Sequence, residues 1–327
     1  MPLLPVLRPL LVLQNALERP PEGRPVAQRR AASSRALLQM RTVTARGPWP
    51  VRAVDHQVPV ADGEILVRSY RPADSPEARL PVLVYLHGGA FWLGSVAEYD
   101  PLCRWYAGAV GCVVVSVDYR LAPEHRFPTA PEDSYAALLW VVAHAAELGV
   151  DPGRLGVAGF SAGGNLAAVL TLVARDRGGP AIAFQVLESP VVDLTMSQPS
   201  TVQFANGFGL TRDKMVEGYD FYLSDAPQAQ EAYASPLLAD NLSGLPPAYI
   251  RTAEFDPLRD EGEAYALRLT ESGVRAEVRR VPGHVHASVY LSRALPSARR
   301  ALDHTAAAMR RGFAAAATGG IEDGLAG

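Results

Sequence analysis

The sequence predicts an α/β fold, with a mostly parallel central sheet and helices on both faces. Two observations predict it. Short continuous apolar runs recur at 81–86, 112–117 and 155–158, as in strands covered on both faces. Segments of helical period alternate with them, which is the pattern of βα units. The right-handed crossover rule then leaves few topologies.

Residues 1–46 read as two short helices joined by a proline-rich turn at 20–25. Leu3, Leu7, Leu10, Leu11 and Leu17 recur at helical spacing. No charged segment precedes this apolar start, Pro5, Arg8 and Pro9 interrupt it, and no small-residue cleavage site follows. An amphipathic helix lying on the rest of the protein is therefore expected, rather than a secretion signal.

Residues 51–60 and 64–70 alternate apolar and polar side chains, as half-buried strands do. After the runs at 81–86 and 112–117, residues 131–147 have helical periodicity. The run at 155–158 leads into an Ala/Leu/Val-rich helix from Ala162. Residues 183–187, 248–252 and 276–281 supply later strands, and helices are expected over 258–272 and 290–309.

Residues 195–242 break the rhythm. They hold no clear strand but carry Phe204, Phe208, Tyr219, Phe221, Tyr222 and Tyr233. A stretch that long between sheet strands reads as a lid or an insertion. The Ala/Gly-rich end, 314–327, reads as a disordered tail.

Composition narrows the function classes. Of 327 residues, 48% are apolar and 20% charged, so the chain can bury a large core. The net charge of −3 lacks the basic surplus of a nucleic-acid binder. Lys214 is the only lysine among 31 basic residues, which reads as arginine-rich codon usage. Cys103 and Cys112 are too few for a disulfide framework or a four-ligand zinc site. No apolar run approaches the about 18 residues of a membrane helix, and a cytoplasmic location is expected.

The strongest chemical signal is Gly159-Phe160-Ser161-Ala162-Gly163-Gly164, between a buried strand and a helix. Gly-x-Ser-x-Gly there is a nucleophile elbow, a turn tight enough to hold the serine hydroxyl clear of the backbone. A dinucleotide fingerprint is not present in order. His87-Gly88-Gly89-Ala90-Phe91 directly follows the strand at 81–86. Paired glycines let backbone N–H groups approach the negative oxygen of an acyl-transfer intermediate, and each such donor is worth a few kcal/mol. The N–H of Ala162 would add a third. His87 precedes the serine and is read as structural.

A serine nucleophile needs a base and an orienting carboxylate, in the chain order Ser, acid, His. His284, His286 and His304 lie downstream of Ser161. His304 falls inside the last helix. His284 and His286 fall in a loop after the strand ending near Val281. Glu254 and Asp256 follow the strand at 248–252, and Asp193 is a third carboxylate. His284-x-His286 lacks further nearby ligands, so no metal site is expected.

Taken together, HGGAF, YRLAPEHRFPTAPED (119–133), GFSAGG, EFDPLRDEG (254–262) and GHVHAS resemble the bacterial hormone-sensitive-lipase-like esterases of the α/β-hydrolase fold. The resemblance runs from about residue 51 to the last helix. It implies Ser161 as nucleophile, Asp256 as acid and His286 as base, with His284 a spacer in the Gly-x-x-His pattern. It implies Gly88, Gly89 and Ala162 as oxyanion donors, and structural roles for Glu124 and Asp133. It also implies a helical cap made of 1–46 and 195–242 over a catalytic domain of 47–194 and 243–313. The sequence departs from the family pattern at Phe160, where Asp or Thr is usual, at Ala90, and at Ala287-Ser288.

A serine carboxylester hydrolase of short- to medium-chain acyl esters is thus expected, working without a cofactor. Its expected partners are a small-molecule ester and, at most, a second copy in a homodimer. Phe91, Trp92, Phe160, Phe208 and Leu210 are the candidate substrate contacts. The same triad would serve an amide, formamide or lactone hydrolase. A non-catalytic receptor would have lost a triad residue, and none is missing.

Overall fold

A hairpin opens the sheet. β1 (Val51–Val60) and β2 (Gly63–Pro72) pair antiparallel across Ala61 and Asp62. The tight reversal puts Asp62 at φ 61° and Gly63 at φ 153°. The computed structural model describes residues 2–17, 24–40, 43–44, 47–75 and 77–318.

Six further strands follow: β3 (Leu80–Leu86), β4 (Val113–Asp118), β5 (Val150–Phe160), β6 (Phe184–Glu188), β7 (Ala248–Phe255) and β8 (Ala276–Val285). One eight-stranded sheet results, in the order β1-β2-β4-β3-β5-β6-β7-β8. Only the β1–β2 and β2–β4 pairs are antiparallel. Strand β3 is buried throughout, as its unbroken apolar run requires.

Among the described residues, helices α1 (Leu7–Leu17) and α2 (Val26–Met40) precede the sheet. α3 (Val96–Val110), α4 (Thr129–Ala143), a single turn α5 (Ala145–Leu148) and α6 (Ala162–Asp176) follow strands β3 to β5. α7 (Ser200–Gln203) and α8 (Arg212–Tyr222) lie in the long segment after β6. α9 (Arg259–Glu271) and α10 (Pro296–Ala317) complete the chain.

The two-residue period of a strand divides the core. Val82, Val84 and Leu86 of β3 join Val113, Val115 and Val117 of β4 against α4, α6 and α9. Leu83 and Tyr85 face the other way, with Trp105 and Tyr106 of α3 and Leu302 and Met309 of α10. Among the described residues no helix is long and apolar enough to cross a membrane.

The structure departs from the sequence reading in several places. β5 starts at Val150, ahead of its apolar run, and the helix expected over 131–147 breaks at His144. Helix α3 was not foreseen, because Pro101 interrupts its pattern. Its signals are at the ends: Ser95 Oγ accepts the Glu98 N–H at 3.4 Å, and Gly111 closes it at φ 77°. β8 runs to Val285, not Val281, so His284 stands on a strand rather than in a loop. α10 begins at Pro296, not 290, since a short 3-10 turn occupies 288–290 and proline suits the first helical position. The same helix continues to Ala317, so 314–317 are helical; positions 319–327 of the expected tail, and 18–23 of the expected N-terminal turn, lie outside the described residues.

Register aligns the carboxyl ends of the strands. Leu86 pairs with Gly159, Phe160 with Glu188, and Phe255 with Val285. His87, Ser161, Asp256 and His286 are each the next residue along. Strand order and register therefore bring four separate segments to one edge.

The β5–α6 turn is the tightest point of that edge. A Cβ on Gly163 would lie 2.0 Å from the Leu86 carbonyl oxygen, and one on Gly159 would lie 2.1 Å from the Gly163 oxygen. Both neighbours are backbone and cannot swing aside. Gly163→Ala is expected to destabilise the fold by about 1–3 kcal/mol or more, the range for overpacking with backbone displacement. A lowered urea midpoint at unchanged m-value checks this; a midpoint equal to that of the parent would contradict it.

Candidate active site

Ser161 caps α6 with φ 56° and ψ −119°, a conformation that non-glycine residues adopt only when their surroundings impose it. Its N–H donates to the Glu188 carbonyl at 2.9 Å, and its carbonyl accepts from Asn165 at 3.0 Å and Val191 at 3.2 Å. These bonds hold the hydroxyl at the helix N-terminus, where the dipole favours developing negative charge. Glu188 is itself fixed. Its carboxylate pairs with Arg251, its register neighbour on β7, and accepts the Tyr106 hydroxyl at 2.8 Å.

His286 leaves β8 just before Ala287, whose φ of 61° turns the chain back. Its Nδ1 lies 2.8 Å from Asp256 Oδ2 and its Nε2 lies 3.2 Å from Ser161 Oγ. With the Nδ1 proton directed to Asp256, Nε2 is left to accept the serine hydroxyl. Asp256 is fully buried, and its other oxygen accepts the Leu258 N–H at 3.0 Å.

The alternative residues are held elsewhere. His284 Nδ1 faces Ser288 Oγ at 2.8 Å and its Nε2 faces Ser297 Oγ at 2.9 Å. Glu254 accepts the Gly283 N–H at 2.6 Å. Asp193 receives the N–H and hydroxyl groups of Thr195 and Ser197, at the start of the long insertion.

Gly88 and Gly89 begin a tight loop in which Gly89, Ala90 and Phe91 all have positive φ. The N–H groups of Trp92 and Leu93 both donate to the Gly89 carbonyl, at 3.1 and 2.8 Å. A Cβ on Gly89 would fall 2.1 Å from the Leu93 oxygen, so only glycine fits. His87 is buried under this loop. Its Nδ1 lies 3.0 Å from the Gly88 carbonyl, and its ring stacks on Tyr119 at 4.3 Å. Burial holds its pKa below the usual histidine range.

A family model described as alpha/beta hydrolase fold matches residues 83–290. Carboxylesterase NlhH of Mycobacterium tuberculosis is 45% identical over 253 residues, 76% of this chain and 78% of that protein. The chain belongs to the α/β-hydrolase family. Its likeness is to the hormone-sensitive-lipase-like esterases within it. Ethyl acetate hydrolase of Pseudomonas putida is 39% identical over 235 residues, 71% of this chain and 74% of that one. A hyperthermophilic esterase from Pyrobaculum calidifontis superposes with a TM-score of 0.87 at 45% identity, covering 95% of this chain and 99% of that one.

The five apolar candidates occupy different parts of the hydrolase. Phe91 stacks on Tyr222 of α8 at 3.8 Å. Trp92 meets Phe221 edge-on at 5.3 Å, with the Arg29 guanidinium 4.8 Å from its ring. Phe208 stacks on Phe255 at 5.5 Å, beside Leu7 and Leu11 of α1. Leu210 is half-buried against the main core. Phe160 packs on the His286 ring itself, at 4.8 Å. Sequence reasoning passed over Glu188, Arg251 and Tyr290, which no motif marks.

Two measurements follow. His286→Ala in this hydrolase should lower kcat by about 10⁴-fold or more, as loss of a triad member does, while His284→Ala should lose under about tenfold. The reverse ranking would exclude the arrangement above. His284 also makes stability depend on pH. Burial, aided by the Arg251 cation, pushes its pKa down to about 4. Between pH 6.5 and 4 the unfolded chain binds a proton there that the folded chain does not, so stability falls as pH drops through that window. Unfolding free energies from urea titrations at pH 7 and 5 should differ by about 1–2 kcal/mol more in the parent than in His284→Gln; equal differences would refute this assignment.

Proposed function

We propose that the hydrolase cleaves short- to medium-chain acyl esters through an acyl-enzyme on Ser161. That it is a serine carboxylester hydrolase rests on its similarity to esterases over most of the chain and on the hydrogen-bonded row Asp256–His286–Ser161. The row is the observation that carries the mechanism.

His286 Nε2 accepts the Ser161 proton as the oxygen attacks the ester carbonyl. Asp256 keeps the imidazole in the required tautomer and stabilises the imidazolium that forms. The N–H groups of Gly88, Gly89 and Ala162 would bind the carbonyl oxygen as it becomes negative, a contribution of a few kcal/mol from each donor. The imidazolium then protonates the departing alkoxide. His286 next takes a proton from water as its oxygen attacks the acyl carbonyl, and gives that proton to Ser161 Oγ as the carboxylic acid leaves. Side chains and backbone perform every step, so no cofactor is required.

The size limit comes from what surrounds the serine. In our reading the N-terminal helices and the 195–242 segment form a cap. Two ion pairs support this: Arg29 of α2 reaches Glu217 of α8 at 2.5 Å, and Arg30 reaches Glu124 at 2.7 Å. A capped pocket rewards each added methylene by about 0.8 kcal/mol while wall remains to touch, and then resists the next. The relative named for ethyl acetate supports the short end of the range.

Ser161→Ala should abolish ester turnover and leave the thermal midpoint within a few degrees; retained steady-state hydrolysis by pure variant would reject the nucleophile. Across p-nitrophenyl acetate, butyrate, octanoate and palmitate, kcat/KM should peak before octanoate ends and then fall. A steady rise through palmitate would mean an open acyl site instead.

A further inference from the structure

Three side chains hold the His286 imidazole, and the proposed mechanism uses only two. Asp256 and Ser161 take its edges. Phe160 takes a face, with 4.8 Å between ring centroids and 32° between planes. Phe160 is 4% exposed, and Tyr290 meets it edge-on at 4.8 Å. The ring is therefore wedged between the imidazole and a second aromatic residue.

The same ring reaches the glycine loop. A Cβ on Gly88 would lie 2.7 Å from Phe160 Cδ1, so the phenyl group sits directly against the Gly88 α-carbon. One side chain, next in the chain to the serine, thus touches both the base and the loop carrying the backbone donors.

Two hydrogen bonds in the ring plane leave an imidazole one soft motion: tilting out of that plane about the Cβ–Cγ bond. That motion turns the Nε2 lone pair away from the serine hydroxyl. A planar apolar ring on the face opposes it and also keeps water off the base. We propose that Phe160 is a positioning residue, seating His286 between Asp256 and Ser161 and holding the Gly88 peptide toward the same reacting carbon. This inference rests on the serine-esterase reading above.

The test compares Phe160→Leu and Phe160→Met, which fill the space without a planar face, with Phe160→Tyr, which restores the ring. Misplacing a reacting group slightly can lose about 10²-fold in rate. For p-nitrophenyl butyrate, Leu and Met are expected to lower kcat by about 10- to 100-fold with KM changed less than about twofold, and Tyr to return kcat to within about threefold of the parent. Either Leu or Met suffices if the other misfolds. A second readout does not depend on turnover: the downfield proton resonance of His286 Nδ1–H should broaden or shift in Leu and Met and not in Tyr. Unchanged kcat and resonance, a loss confined to KM, or a Tyr variant as slow as Leu would overturn the proposal. An inactive parent would instead refute the esterase reading, and the resonance would still decide the role of Phe160.

Discussion

The reactive edge depends on how closely the turn between β5 and α6 approaches the end of β3. At Gly163 the two backbones leave no room for a methyl group beside the Leu86 and His87 carbonyls. The turn that lifts Ser161 therefore sits on the first residues of the glycine loop. One close approach sets the nucleophile and the proposed oxyanion donors relative to each other. Bulk at Gly163 would displace both together.

That approach costs backbone strain, which neighbouring bonds offset. Ser161 keeps its positive φ because its N–H is anchored to the Glu188 carbonyl. Glu188 is anchored in turn by the Arg251 ion pair and the Tyr106 hydroxyl, all buried behind the sheet. Removing one partner from such a pair strands a buried charge, typically a loss of about 3–5 kcal/mol. Groups that never meet substrate thus hold the serine in its conformation.

The base is placed by a different device. Register brings Phe255 opposite Val285, so Asp256 and His286 leave adjacent strands side by side. His284, one strand step earlier, faces away and bonds Ser288 and Ser297. It ties the turn after His286 to the start of α10. Two histidines two residues apart on a regular strand would share one face. Here the strand ends at Val285 and the chain turns at Ala287, so the two rings meet different partners and do different work. The neutral, buried one is a tether, and the partly accessible one has its two nitrogens on an acid and a hydroxyl.

The sequence by itself determined the sheet class, most strands, and the turn that carries Ser161. Local chemistry is written locally: apolar runs mark buried strands, and a Gly-x-Ser-x-Gly turn can be tight in only one way. Ends were less legible. β8 outruns its apolar run because its pairing with β7 resumes at Val285, opposite Phe255, after an irregularity, and α3 hides behind Pro101. Only the tertiary structure decided that Asp256, rather than Glu254 or Asp193, faces His286, because three carboxylates after strands look alike until register assigns their neighbours. It likewise decided that Phe160 lies on the imidazole while Phe91, Trp92 and Phe208 pack elsewhere. A side chain's partner across 125 residues of chain depends on strand order and packing, and no short pattern encodes either.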